Sequence, residues 1–260
     1  MRVKDLLRNL DAMVPFSWAE EWDNSGLITG NPESPVTGVA VCLDPTPEAM
    51  EYAAENGCSV LVSHHPLIFS PLKKIDVSTC TGKAVAFALK KDIAVISMHT
   101  NWDSSPRGVN AAIAGALGLE SVCPLVPSAS GAWGLGALGN LPAAMTGQEL
   151  GQMIRSVLKL SRLDLYGAPH RSVNRLALCG GSGGSLWGGA KASGADAYFT
   201  SDVKYHERLE ALEGGLLLLI GDHGEAESFS LEALAGTVSE ASGSGVPVFR
   251  GMPRAPVVIG

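Results

Sequence analysis

The 260-residue chain is 46% hydrophobic and 17% charged with a formal net charge of −7, a balance that supports a packed core and excludes a disordered chain. Its 19 lysines and arginines are scattered among 26 aspartates and glutamates, which argues against a nucleic-acid-binding stripe while still permitting a small anionic substrate. No apolar run reaches the roughly 18 residues of a membrane span, and the five isolated cysteines form no C-x-x-C pair, so a soluble cytoplasmic protein whose thiols fill the core is expected.

Val3, Leu6, Leu7, Leu10 and Met13 recur at helical spacing between charged residues. They predict an amphipathic opening helix and not an export signal, which needs an unbroken apolar stretch. Val36 to Leu43 reads as a buried strand. Thr46 then offers an N-cap, Pro47 a first-turn proline and Gly57 a stop for the helix between them. Ser59 to Val62 and Ile93 to Met98 are further apolar strands, separated by a helix over Lys83 to Lys90. An alanine-rich helix opened by Pro106 runs to about Gly118. Strands separated by helices of this length predict an α/β fold with a parallel or mostly parallel sheet.

Residues 122 to 140 turn to Pro, Ser and Gly and read as a linker or domain boundary. A second αβ series follows. It comprises a helix near 146 to 159, strands near 173 to 179, 196 to 200 and 215 to 221, and a helix starting within Gly181 to Gly184. A helix at about 228 to 241 and the strand Val246 to Arg250 close the chain.

Four of the six histidines sit at the C-terminal ends of apolar runs: His64 and His65 after Ser59-Val-Leu-Val, His99 after Ile93-Ala-Val-Ile-Ser-Met, and His223 after Leu216-Leu-Leu-Leu-Ile-Gly-Asp. In open α/β sheets that edge is where ligands bind. Asp103 follows His99 by four residues and Glu227 follows His223 by four, a spacing that brings paired side chains to one face of a helical turn. Alone, each pair has an ordinary explanation as a strand terminus, a turn or a helical surface pair. Their joint placement favours a metal cluster, because imidazole and carboxylate suit Zn, Mn, Fe or Co, and so many donors suit two ions. His170, between Pro169 and Arg171, reads as a loop residue.

The segments Trp22-Asp-Asn-Ser-Gly-Leu, Ser63-His-His-Pro-Leu-Ile-Phe, His99-Thr-Asn-Trp-Asp, Gly180-Gly-Ser-Gly-Gly-Ser, Ser201-Asp-Val-Lys-Tyr-His and His223-x-x-x-Glu227 occur in this order. In them the chain resembles the GTP cyclohydrolase I type 2 family, also called the Nif-three-like dinuclear metal-centre proteins, from the first helix to about residue 230. The resemblance implies two divalent metal ions per subunit (Zn, Fe, Mn or Co), held by His64, His65, Asp103, His223 and Glu227. It implies two interlinked α/β domains with mostly parallel or mixed sheets and helices packed on them, and a ring-shaped homohexamer. The chain would return to the first domain near His223. That makes 1–125 and 222–260 the metal-binding domain and 126–221 an inserted one. Three positions depart from the family pattern: Asp222 and Ser201 stand where it has glycine, and Trp102 lies inside the His-Thr-Asn-x-Asp block. Trp102 and Asp222 bear on pocket shape or charge.

His99, outside the implied ligand set, is the candidate catalytic acid/base. Trp22 to Gly26 line the pocket or hold a buried tryptophan before a tight turn. Lys204 and His206 are candidates to meet an anionic substrate, and Gly180 to Gly184 bind phosphate or make a tight strand-to-helix turn. The implied reaction opens the guanine imidazole ring of GTP, losing formate on the way to dihydroneopterin triphosphate. Metal-dependent phosphoester hydrolysis and a non-catalytic metal-binding or regulatory scaffold are the alternatives.

Overall fold

A computed structural model describes residues 1–251. Residues 252–260, placed with the first domain on sequence grounds, lie outside the described residues. The opening helix α1 (Val3–Met13) forms as expected and buries Val3, Leu6 and Leu10. Then come β1 (Gly26–Thr29), β2 (Val39–Cys42), α2 (Pro47–Glu55), β3 (Val60–Ser63), α3 (Cys80–Lys90) and β4 (Ala94–Ser97). Thr46 caps α2 through the Ala49 N–H, with Pro47 in the first turn. α3 starts ahead of the expected Lys83 because the Thr79 hydroxyl caps it through the Gly82 N–H. A single turn, α4 (Thr100–Asp103), precedes α5 (Val109–Ala116), which begins after Pro106 and not at it, with Gly108 as its N-cap.

Residues 122 to 140 are not a linker. They hold part of β5 (Glu120–Cys123), all of β6 (Val126–Pro127) and β7 (Gly134–Leu135), and the start of β8 (Ala137–Thr146). Gly136 serves close packing: it has φ 69°, and a Cβ there would stand 2.9 Å from the Leu178 carbonyl oxygen. α6 (Gly147–Leu158) follows, opened by a Thr146/Glu149 capping box. Next are β9 (Leu163–Tyr166), β10 (Ser172–Leu178), α7 (Trp187–Ala192), β11 (Ala197–Thr200), α8 (Tyr205–Glu213) and β12 (Leu217–Gly221). α7 begins later than expected, after a 3-10 turn over Gly184–Leu186. The helix expected at about 228 to 241 is two, α9 (His223–Ser228) and α10 (Leu231–Ser242), before β13 (Val248–Arg250).

Packing divides the described chain into two units, residues 1–102 with 231–251, and residues 103–230. The first unit has a five-stranded sheet in the order β1-β4-β3-β2-β13, parallel except for the edge strand β1. Every residue of β2, β3 and β4 is buried. Strands covered on both sides read as continuous apolar runs, which is the pattern seen in the sequence. Met50 and Ala53 of α2 and Ala84 and Ala88 of α3 pack on Ala40, Leu61 and Val95, while α10 packs against β2 and α1. The second unit has a six-stranded mixed sheet, β5-β8-β10-β11-β12-β9, with β10, β11 and β12 parallel at its centre. The α/β class with mixed sheets is therefore as expected. Cys42, Cys58 and Cys179 are buried, but Cys80 and Cys123 are exposed and fill no core. No described helix is long and apolar enough to cross a membrane.

Candidate metal centre

In the first unit β3 and β4 run parallel with Ser63 opposite Ser97, so His64, His65 and His99 all leave the same C-terminal sheet edge. The backbone is held there. The His64 N–H donates to the Cys42 carbonyl (3.1 Å) and the His65 N–H to the Leu43 carbonyl (2.9 Å). The Ser97 and Ser63 hydroxyls donate to the His64 and His65 carbonyls at 3.1 and 2.6 Å. One ring nitrogen from each of the three histidines lies within 4.8 Å of the others.

One nitrogen of each ring, Nδ1, has an oxygen partner. His64 Nδ1 is 2.9 Å from the Met98 carbonyl, His65 Nδ1 is 2.8 Å from Asp44 Oδ1, and His99 Nδ1 is 2.7 Å from Asp23 Oδ1. A carbonyl or an ionised carboxylate can only accept, so in the neutral rings Nδ1 carries the proton and the lone pair resides on Nε2. That is the tautomer a metal requires, fixed by outer partners.

Asp23 has more than one task. Its buried carboxylate also accepts from the Thr100 N–H (3.1 Å), the Thr100 hydroxyl (2.6 Å) and the Ser25 hydroxyl (2.8 Å). Burial opposes its ionisation, but the hydrogen bonds from His99, Thr100 and Ser25, with the His99 charge, hold the carboxyl well below the usual range. Trp22 beside it is 60% exposed, which removes the buried-tryptophan alternative for this segment.

In the second unit α9 carries His223 and Glu227 on one face, with His223 Nε2 3.0 Å from Glu227 Oε2. Asp222 is the N-cap of that helix, its carboxylate accepting the Glu225 N–H at 2.9 Å. The departure from glycine at 222 is thus a helix cap. On the far side of the ring His223 Nδ1 meets Asp202 Oδ2 at 2.6 Å. Burial works against charge on His223, but Glu227 and Asp202 outweigh it and raise its pKa to about 9.

Gly181 has φ 73°, and a Cβ on it would collide with Glu227 Oε1. Gly183 is likewise pressed against Tyr198 and Thr200, whose hydroxyls bond its carbonyl and N–H. The glycine-rich loop therefore has a steric cause. Asp103 is 7% exposed, and Asn110 donates to its carbonyl while accepting the Gly180 N–H, at 3.0 and 2.9 Å. Burial first, then the charges of Asp103 and Glu227, push the Cys179 thiol far up, so it stays protonated. Ser201 is buried, with its N–H on the Gly181 carbonyl. Trp102 is fully buried. Lys204 and His206 are exposed at the start of α8, and His170 is exposed in a turn.

The family model described as Duf34/NIF3 (NGG1p interacting factor 3) matches residues 1–250. The chain belongs to this family. A Streptomyces coelicolor protein named GTP cyclohydrolase 1 type 2 homolog is 36% identical over 224 residues, 84% of this chain and 79% of that one. Drosophila melanogaster NIF3-like protein 1 is 32% identical over 229 residues, 85% of this chain and 76% of that one. Among solved structures, a Staphylococcus aureus hypothetical protein matches with TM-score 0.90 at 29% identity, covering 96% of both chains. A Bacillus cereus protein related to NIF3 matches with TM-score 0.93 over 100% of this chain and 99% of that one, and its 23% identity speaks to fold alone.

For a Duf34/NIF3 member, the histidines singled out by sequence are those found in metal-capable groups. Sequence reasoning missed Asp23, Asp44 and Asp202, the carboxylates that orient His99, His65 and His223. A signal was available for two of them: Asp44 and Asp202 each lie two residues past the end of a parallel strand, β2 and β11. The strand-end rule applied to the histidines would have found them had it been applied to carboxylates.

Proposed function

We propose that this Duf34/NIF3 member is a metal-dependent hydrolase of nucleotide-like substrates, with His64, His65, Asp103, His223 and Glu227 holding two divalent ions. The observation that carries this is the set of ring partners. His64, His65 and His223 each commit Nδ1 to an oxygen, which directs Nε2 to a metal. The donor set fits Zn, Fe, Mn or Co without choosing among them. Metals in such a set lower the pKa of water and stabilise developing negative charge.

The remaining roles fall to the chain itself. His99 stands outside the ligand set with Nδ1–H on Asp23, so its Nε2 takes up and returns a proton while the buried carboxylate steadies the imidazolium. The name of the Streptomyces relative, GTP cyclohydrolase 1 type 2 homolog, supports GTP as substrate, its guanine imidazole ring opened with loss of formate. A cytoplasmic homohexamer belongs to the same proposal, and sedimentation velocity tests the assembly.

The deciding assay is formate release from GTP by metal-loaded protein. Release by the wild type, abolished in His64→Ala and Asp103→Ala, is the expected result. Phosphate release without formate would move the activity to phosphoester hydrolysis. Metal retention without turnover of any nucleotide would sink the enzymatic reading and leave a metal-binding scaffold.

A further inference from the structure

Two aromatic rings beside the histidine cluster belong neither to the core nor to the ligand set. Trp22 is 60% exposed and Phe69 55% exposed. Their centroids are 5.8 Å apart, and each meets the His99 ring edge-on at 6.2 Å, with interplanar angles of 77° and 79°. The rings come from separate loops, and both loops are pinned. The Asn24 side-chain amide donates to the Ile68 carbonyl at 2.6 Å, the Glu20 N–H donates to the Thr100 hydroxyl at 2.9 Å, and Asp23 is buried beneath His99 and Thr100. Keeping two such rings in solvent forgoes the burial that normally stabilises them. Pinning them in place also reduces what they lose on meeting a ligand.

We propose that Trp22 and Phe69, whose planes are tilted 59° to each other, form an aromatic corner that receives the purine ring of the substrate, Trp22 stacking on its face and Phe69 meeting its edge, and presents it to His99. Position selects the occupant. The His99 ring lies 5.3 Å from that of His64 and 5.6 Å from that of His65, so a group seated on the aromatic pair against His99 lies next to the histidines assigned to the metal. A flat heteroaromatic ring meets both conditions, π surface on one side and proximity to the histidines on the other. Stacking supplies affinity for any base and leaves the choice among bases to hydrogen-bonding groups. This inference rests on the nucleotide reading above and adds the residues that hold the base.

The test is guanosine binding to metal-loaded full-length protein by calorimetry, with metal content measured in parallel. Trp22→Ala is expected to weaken guanosine about tenfold and Phe69→Ala about threefold, with Trp22→Phe restoring most of the loss and metal content unchanged throughout. Undetectable guanosine binding to the wild type, unchanged affinity in Trp22→Ala, or a loss that merely follows metal loss overturns the aromatic corner. A changed sedimentation coefficient with intact guanosine binding overturns it too, and assigns the rings to contact between copies. Trp22-dependent binding in a protein that releases no formate keeps the corner and removes the reaction. Formate release indifferent to Trp22→Ala does the reverse.

Discussion

The histidines proposed as metal ligands are held in different ways in the two units. His64 and His65 leave the end of a parallel strand, their backbone tied into the ladder and their Nδ1 facing a carbonyl and a half-exposed carboxylate. His223 opens a short helix between Asp202 and Glu227, which hold it protonated to about pH 9. The first surrounding combines sheet geometry with one carboxylate, and the second sets the ring between two carboxylates. In the metal-free protein a proton therefore competes with metal at His223.

The largest expected effect comes from removing a proposed ligand at the sheet edge. His64→Ala, at a side chain 1% exposed, should cost more metal affinity than the 10–100-fold, approximately, that outer partners contribute. Metal content after dialysis measures it. Full occupancy in that variant would break the sheet-edge half of the comparison.

Gly181→Ala probes the other unit. Strain of about 1–3 kcal/mol at a left-handed backbone position adds to displacement of Glu227, so both melting temperature and metal content should fall. A variant with wild-type values of both would mean that the loop does not position Glu227.

A paired substitution then sharpens the contrast. Asp44→Asn should weaken metal binding by about tenfold at pH 7, since it loosens the orientation of His65. Asp202→Asn should cost less, because losing that carboxylate also lowers the His223 pKa and eases proton competition. Calorimetric titration of both gives the order, and the reverse order would contradict the assignment of charge to the second unit.

The smallest effect is on pH dependence in metal-free protein. The folded value for His223, about 9, lies above the ordinary imidazole value of 6.5. Its stabilisation is therefore complete below pH 6.5 and lost as pH rises through about 9. Melting temperature should decline over that window in the wild type and less steeply in His223→Ala. Parallel slopes would show that the two carboxylates do not hold the proton.

Particular residues show how far the sequence reaches. The apolar runs ending in His64, His99 and His223 named three strand ends, because a strand buried on both sides has nothing else to be made of. The four-residue step from His223 to Glu227 named one helical face. By contrast, β8 was hidden by its glycine and proline content, since its place depends on pairing with β5 and β10. Asp23 lies 76 residues from His99 and Asp202 lies 21 from His223, and no periodicity spans such separations.

By itself, then, the sequence determined the α/β class, the histidines and carboxylates that gather at strand ends, and the family. These are written in local period and residue type. Only tertiary structure decided which nitrogen of each imidazole carries the proton, why Gly181 and Asp222 are what they are, and that Trp22 and Phe69 stand in solvent beside His99. Each of these depends on an atom brought close by folding, and a hydrogen bond or a steric limit acts only at contact.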